Sequence, residues 1–269
     1  MVGSQITLSR DLLYKLYWEE GLSLKEIARL LGRHYPVVYR AMKRFGIPRR
    51  NLSEALKNYY RRHEPKLKTK FYEVDCEELA YLIGAFLGDG SAYSYVNSRG
   101  RKDYRVEFYC GIDRDFAEVI ASYMKRMFSG SVLIKYSKKK KYVVYMASKE
   151  LYDFFTNKDK MLEYANKYPK SFIRGFFDAE GSTGLYKRKR GDYSYGIFIY
   201  NNDVELLRLI HEKLLTMGIR SHLYRDKRGH YFLTIYDKAS IKRFATLVGS
   251  SIERKRKKLE ELVTFLEKR

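Results

Sequence analysis

The 269-residue chain holds only two cysteines, Cys76 and Cys110, far apart and outside any CxxC pattern. This excludes a disulfide-stapled secreted module, offers no thiolate set for a structural zinc, and fits a reducing, cytoplasmic setting. No apolar run exceeds about ten residues, too short to span a bilayer. The polar start, interrupted at Arg10 and Asp11, gives no secretory or other targeting signal. Glutamine occurs once, as Gln5, while Lys, Arg, Glu and Tyr abound, a bias expected of a thermophile. Acidic residues are also scarce: 32 Asp and Glu face 54 Lys and Arg, leaving a net charge of +22. Such a surplus makes a polyanion the expected partner, nucleic acid ahead of an anionic membrane, with a merely basic surface as the plainest alternative. The 26 tyrosines add stacking and phosphate-bonding groups.

Three parts follow along the chain. Residues 1–48 carry short helical stripes: Leu12, Leu13, Leu16 and Tyr17, then Leu24, Ile27, Ala28 and Leu31 behind a Ser23/Glu26 capping box. After Gly32 a third stripe carries Val38, Ala41, Met42 and Phe45, with Pro36 in its first turn. Two short helices around a glycine, the second bearing Tyr39, Arg40, Lys43 and Arg44, read as a helix-turn-helix for DNA; the alternative is a three-helix bundle with a solvated basic face. Residues 49–74 read as a basic linker beginning at Arg49 and Arg50, which would lie along DNA phosphates, the alternative being a merely solvated run, with "LSEALKNYYRR" capable of helix and "HEPKLKTK" extended.

From residue 75 the chain repeats itself, in halves spanning 75–168 and 169–269. Each half reads as helix, hairpin, helix, hairpin, helix, so the expected class is α+β, a pseudo-twofold duplicated αββαββα. Each half opens on an apolar helix ending in an acid and a glycine: "LIGAFLGDG" over 82–90 and "IRGFFDAEG" over 173–181. Interior glycine costs a helix about 0.5–1 kcal/mol relative to alanine, so Gly84, Gly88 and Gly175 need a reason. Small residues four apart let two helices approach closely, pairing Gly84 and Gly88 with Gly175 and Ala179. That packing sets Asp89 beside Glu180. A helix carboxyl end already disfavours an acid by about 0.3–1 kcal/mol, and two acids repel further. A divalent cation bound by carboxylates relieves both penalties; the plain alternative is two acids that merely open turns.

These two segments resemble the paired motifs of the LAGLIDADG homing endonucleases in their single-chain form, over residues 75 to 265. The resemblance implies two antiparallel sheets lying along double-stranded DNA, with Asp89 and Glu180 as catalytic metal ligands for Mg²⁺, Mn²⁺ substituting. It implies the Gly88 and Ala179 carbonyls as accessory ligands and a nearby basic residue, for which Lys255 is the candidate in "SSIERKRKKLEEL". Lys257 and Lys258 are its alternatives, and Lys158 or Lys160 its counterpart in the first half. It further implies a monomer with internal pseudo-dimer symmetry, cutting both strands at a long, weakly palindromic site. Alternation groups Tyr93, Tyr95, Asn97 and Arg99 on one strand and Arg105 with Asp103, Glu107 and Tyr109 on its partner. Lys138 and Lys139 at a hairpin turn, and Lys187, Arg188, Lys189 and Arg190 along the strand run "STGLYKRK", mark further DNA-facing positions, the facing of the last group being ambiguous. Glu180 departs from the usual aspartate, and the first 48 residues lie outside the minimal fold. Two other functions fit the same frame: a transcription regulator, and an RNA maturase that assists splicing by binding intron RNA.

Overall fold

The computed structural model describes residues 7–62, 69–137 and 140–269. The chain forms two compact units, Met1–Leu67 and Lys68–Arg269.

In the first unit, Ser9 accepts from the Leu12 amide and starts α1 (Arg10–Tyr14), which continues as a π-helical turn over Lys15–Glu19. The capping box is formed as expected: the Ser23 amide donates to Glu26 at 2.7 Å and the Glu26 amide to the Ser23 hydroxyl at 3.3 Å. It opens α2 (Leu24–Leu30). Gly32, at φ +61°, turns the chain into α3 (Tyr35–Arg44), where Pro36 is accommodated in the first turn. Leu13, Ile27, Val38 and Met42 close the core between these elements.

The stretch 49–74 is not a free tether among its described residues. Asn51 and Glu54 form a second reciprocal cap that begins α4 (Leu52–Arg62). Arg62 reaches Glu26 at 3.0 Å. Arg50, expected on DNA, is turned inward: its guanidinium donates to the Gly21 and Leu22 carbonyls at 2.8 and 2.5 Å and lies 4.1 Å over the Tyr17 ring. Its charge holds the first unit together instead. Further on, Phe71 bridges Phe128 and so belongs to the second unit.

The second unit contains the duplication. The first half runs α5 (Glu77–Asp89), β1 (Gly90–Val96), β2 (Lys102–Tyr109), α6 (Arg114–Met127), β3 (Leu133–Tyr136), β4 (Tyr142–Met146) and α7 (Lys149–Phe155). The second runs α9 (Pro169–Glu180), β5 (Gly181–Lys187), β6 (Tyr193–Asn201), α10 (Val204–Thr216), β7 (His222–Arg225), β8 (Tyr231–Ile235) and α11 (Lys238–Leu247). Each half adds one further helix, α8 (Lys158–Lys167) and α12 (Glu253–Glu267). Both sheets are antiparallel and share one strand order, β1-β2-β4-β3 and β5-β6-β8-β7. One face of each sheet is buried against helices, through Val106, Phe108 and Val144 in the first and Ile197, Ile199 and Leu233 in the second. No described helix is long and apolar enough to cross a membrane.

Helices α5 and α9 form the central seam and are buried through their middle turns, Leu79–Phe86 in α5 and, Arg174 apart, Ser171–Asp178 in α9. Their approach is backbone to backbone. A Cβ at Gly84 would overlap the Phe172 carbonyl oxygen, and one at Gly175 would overlap the Tyr81 carbonyl oxygen. One turn on, Gly88 faces Ala179, where an added Cβ would stand 2.6 Å from the alanine methyl. The four positions inferred as the helix interface are therefore the contact itself. Since the obstructing atoms are main chain, a larger residue forces the helices apart. Gly84→Val or Gly175→Val is expected to destabilise the second unit by about 3 kcal/mol or more. Chemical denaturation followed by circular dichroism checks this, while Trp18, the chain's one tryptophan, should report an unchanged transition for the first unit.

Candidate catalytic centre and nucleic-acid faces

Asp89 and Glu180 are the last residues of α5 and α9, each followed by a glycine that enters the first strand of its sheet. The seam carries them together: a Cβ placed on Gly88 would lie 3.1 Å from the Glu180 Cγ. Burial pushes the Glu180 carboxyl up to about 7, and the charge of Asp89 pushes in the same direction. Burial likewise raises Asp89, opposed by the positive charges of Lys255 and Lys141. Both shifts act against ionising the two acids together, and a cation placed between them would act in the opposite direction. An open cleft of about 550 Å³ adjoins Glu180, lined also by Gly88, Tyr200, Asn201, His230 and Tyr231.

The two acids are held differently. The Asn201 side-chain amide donates to Glu180 Oε1 at 3.2 Å. Strand register makes Cys110 the counterpart of Asn201, since each directly follows its sheet's equivalent tyrosine, Tyr109 or Tyr200. Cys110 is a buried thiol, pushed up to about 12 by burial first and the Asp89 charge second. Glu180 has one more methylene than Asp89 and gains an amide that fixes its carboxylate.

Lys255 is beside the centre but buried, at 6% exposure. Its ammonium donates to the Phe177 and Asp178 carbonyls at 2.9 and 2.7 Å and stands 3.5 Å from the Ala179 carbonyl. It thus caps the last turn of α9 and offsets the partial negative charge collected there. Burial lowers its ammonium to about 8, while Asp178 favours the charged form. Asp178 is 2% exposed and accepts from the Tyr81 hydroxyl at 2.7 Å, the Ser250 hydroxyl at 2.5 Å and the Ser251 amide at 2.9 Å. Burial raises this carboxyl, and burial with the neighbouring Asp178 charge holds the Tyr81 phenol well above its usual value. Asp178 and Asn201 were not recognised in the sequence. In the first motif Leu87 stands where Asp178 stands in the second, and that mismatch was the available signal.

Three of the other lysines read as catalytic candidates are engaged elsewhere. Lys158 pairs with Asp203 and Lys160 with Glu73, both at 2.5 Å, and Lys257 pairs with Glu253 at 2.6 Å. Lys258 is exposed on α12.

The register resolves the sheet faces. Tyr93, Tyr95 and Arg105 lie on the outward face of the first sheet, as expected, with Glu107 and Tyr109. Asn97 instead builds the hairpin turn, accepting from the Arg99 and Arg101 amides and donating to Asp103 at 2.9 Å. Arg99 is exposed at that turn. Lys138 and Lys139 lie outside the described residues. Lys187 ends β5 and Arg188, Lys189 and Arg190 follow it in the β5–β6 turn; all four are exposed, and Arg188 and Arg190 both pair with Asp192, at 3.3 and 2.8 Å. In the first unit Tyr39, Arg40, Lys43 and Arg44 are exposed along α3, with Arg49 6.0 Å over the Tyr39 ring.

The Lys255 contacts predict a structural role that is measurable apart from catalysis. Lys255→Met removes a buried cation facing Asp178 and is expected to cost about 3 kcal/mol in denaturant unfolding. Adding Asp178→Asn should recover part of that loss in a double-mutant cycle. Unchanged stability with abolished DNA cleavage would contradict the capping role.

Comparison with known proteins agrees with this geometry. Residues 78–157 match the model of the WhiA LAGLIDADG-like domain, and residues 167–249 match that of a LAGLIDADG-like domain. An uncharacterised protein of Methanocaldococcus jannaschii is 30% identical over 219 residues, covering 77% of this chain and 79% of that protein. Homing endonuclease I-DmoI of Desulfurococcus mucosus is 29% identical over 180 residues, covering 64% and 88% of the two chains. The structure of I-DmoI in complex with DNA and Ca superposes with a TM-score of 0.53 at 25% identity, covering 69% of this chain and 97% of that one. With two motif helices packed through matched glycines, an acid ending each, and both halves matched separately, the chain belongs to the LAGLIDADG homing-endonuclease family in its single-chain, two-motif form.

Proposed function

We propose that this DNA endonuclease is a divalent-metal-dependent enzyme that cuts both strands of a long, weakly palindromic duplex site, with Asp89 and Glu180 as the metal-holding acids. The observation that carries this reading is the convergence of two carboxyls, the exposed Asp89 and the half-buried Glu180, on two negative helix ends, Glu180 being raised to about 7. Carboxylate and carbonyl oxygens are the donor set of a hard divalent cation, so the residues present fit Mg²⁺ or Mn²⁺. Structures of I-DmoI with its target DNA exist with Mn and with Mg, which supports the same cofactor class here.

When bound, such a cation supplies electrostatic stabilisation to the attacking and leaving oxygens of a phosphodiester. The chain's own groups prepare the place. Asp89 and Glu180 supply the negative charge that retains the cation, and Asn201 orients the Glu180 carboxylate. The Gly88 carbonyl is the better of the two accessory ligands, because Lys255 already stands 3.5 Å from the Ala179 carbonyl. Lys255 keeps the α9 terminus from becoming too negative as the acids ionise. Both acids lie in one chain, which supports action as a monomer. The outward sheet faces and the basic turns supply the DNA contacts, arginine giving sequence choice and lysine mostly affinity.

The exposed basic face of α3 favours one further role, binding by the first unit beyond the cleaved segment. The same face suits a transcription regulator, but a regulator has no use for converging acids. Asp89→Asn or Glu180→Gln should reduce Mg²⁺-dependent cleavage of DNA flanking the gene's own locus by at least about a hundredfold, with binding retained. Tight binding by the wild type without any cutting in Mg²⁺ or Mn²⁺ would establish the regulator instead. Removing residues 1–67 should weaken binding and flatten its salt dependence, since phosphate contacts are lost, without moving the cut. An unchanged footprint would exclude a DNA-binding role for the first unit.

A further inference from the structure

Because the two sheets share one register, their outward faces are comparable position by position, and they differ in kind. Tyr93 pairs with Arg105 in the first sheet; the equivalent pair in the second is Gly184 with Gly196. Glu107 beside Tyr145 has Phe198 beside Thr234 as its counterpart, and Asp103 has Ser194. Lys135 opposite Val143 corresponds to Tyr224 opposite Phe232. Each of these four charged positions on the first face is thus occupied on the second by glycine, serine or an aromatic residue.

On the first face the polar groups are tied to one another. The Tyr93 and Tyr109 hydroxyls donate to the two Glu107 oxygens at 3.0 and 2.9 Å, and Arg105 stands 3.5 Å from Glu107. Arg105 also lies 5.0 Å over the Tyr145 ring. Donors and acceptors are held there in fixed positions, the property needed to read base edges by hydrogen bonding.

On the second face the paired glycines leave bare backbone for rings to lie over. A Cβ on Gly184 would stand 2.7 Å from the Tyr186 ring and 3.1 Å from that of Phe198, and one on Gly196 2.9 Å from the Tyr236 ring. Beside them Tyr200, Phe232 and Tyr224 form a ladder with ring centroids 5.4 and 5.7 Å apart and planes 26° and 29° from parallel. Tyr186, Tyr200 and Tyr224 are 66%, 47% and 45% exposed. Arg188, Arg225, Lys227 and Arg228 are exposed at its edges. An aromatic plate with a basic rim suits a polyanion that carries apolar groups. The rings of the ladder are too close together to admit a base between them, so the plate offers apolar surface rather than stacking slots. The apolar group that a duplex presents in its major groove is the thymine C5-methyl.

We propose that the second sheet selects its half-site by apolar contact with thymine methyl groups, while the first sheet reads the other half-site by hydrogen bonds. This rests on the DNA-endonuclease reading above. It accounts for the loss of charge at four equivalent positions without loss of the strands that carry them.

The test uses the full chain with divalent metal chelated, so that DNA is bound and not cut. Duplexes enriched from a randomised library are resynthesised with deoxyuridine for thymidine in one half-site at a time. This removes the methyl and leaves every groove hydrogen-bonding atom in place. The expected result is a loss of about fourfold in affinity per contacted methyl in one half-site and less than about twofold overall in the other. Tyr200→Ser and Tyr224→Ser, both at exposed positions, should abolish the thymine–uracil difference in the sensitive half-site, which assigns it to the second sheet. Equal losses in both half-sites, or none in either, overturn the inference and leave the nuclease reading standing. Self-association of the wild type that Tyr224→Ser abolishes would also overturn it, by giving the plate a second copy as its occupant. Failure to enrich any duplex overturns the nuclease reading itself.

Discussion

The rest of the second unit depends on one contact, the approach of α5 and α9 at Gly84 and Gly175. Each glycine leaves room for a carbonyl oxygen of the facing helix, Phe172 for Gly84 and Tyr81 for Gly175. No side chain fits there, and that steric limit fixes the separation and rotation of the helices. Two consequences follow at the carboxyl ends. Asp89 and Glu180 are brought side by side, and β1 and β5 start from a common place, so the two sheets inherit the pseudo-twofold relation of the helices. Each helix also anchors its own half: Phe86 packs on Phe108 and Phe155, and Phe177 on Phe244.

Bringing the acids together creates an electrostatic problem that the two halves handle unequally. On the α9 side the chain supplies its own countercharge, with Lys255 capping three successive carbonyls and Asp178 buried beside it in a set of hydroxyl and amide donors. On the α5 side Leu87 replaces that acid, and Cys110 replaces the amide that steadies Glu180. Burial raises both carboxyls, and the charge of Asp89 adds to the rise at Glu180. A duplicated frame has thus diverged at its centre as well as on its sheet faces. On the proposed function the centre takes its cation from outside, whereas the α9 terminus has an internal one in Lys255.

The seam was legible in the sequence because its physics is local and periodic: glycines at helical spacing within apolar runs, each run closed by an acid, at a constant offset between the halves. The succession of helices and hairpins was legible for the same reason, from alternation and turn residues. The basic residues were less so. Lys255 was placed near the centre, but its charge is directed at carbonyls of α9, that of Asp178 lying 77 residues earlier, which no local pattern records. Arg50 stood in a basic run that suggested phosphate contacts, whereas its partners are the Gly21 and Leu22 carbonyls. Around residues 185–190 tyrosine, lysine and arginine alternate without an apolar face, so only pairing with β6 shows which side Tyr186 occupies. For Lys255 and Arg50 the deciding partner is distant in sequence.

The central claim is that the close approach of α5 and α9 builds a divalent-cation site from one acid of each half. Its most direct test is an anomalous-difference map of the full chain bound to its DNA and equilibrated with Mn²⁺. The account predicts a peak in coordination contact with both Asp89 and Glu180. Bound DNA with Mn²⁺ elsewhere, or with no peak between these two carboxylates, would contradict it.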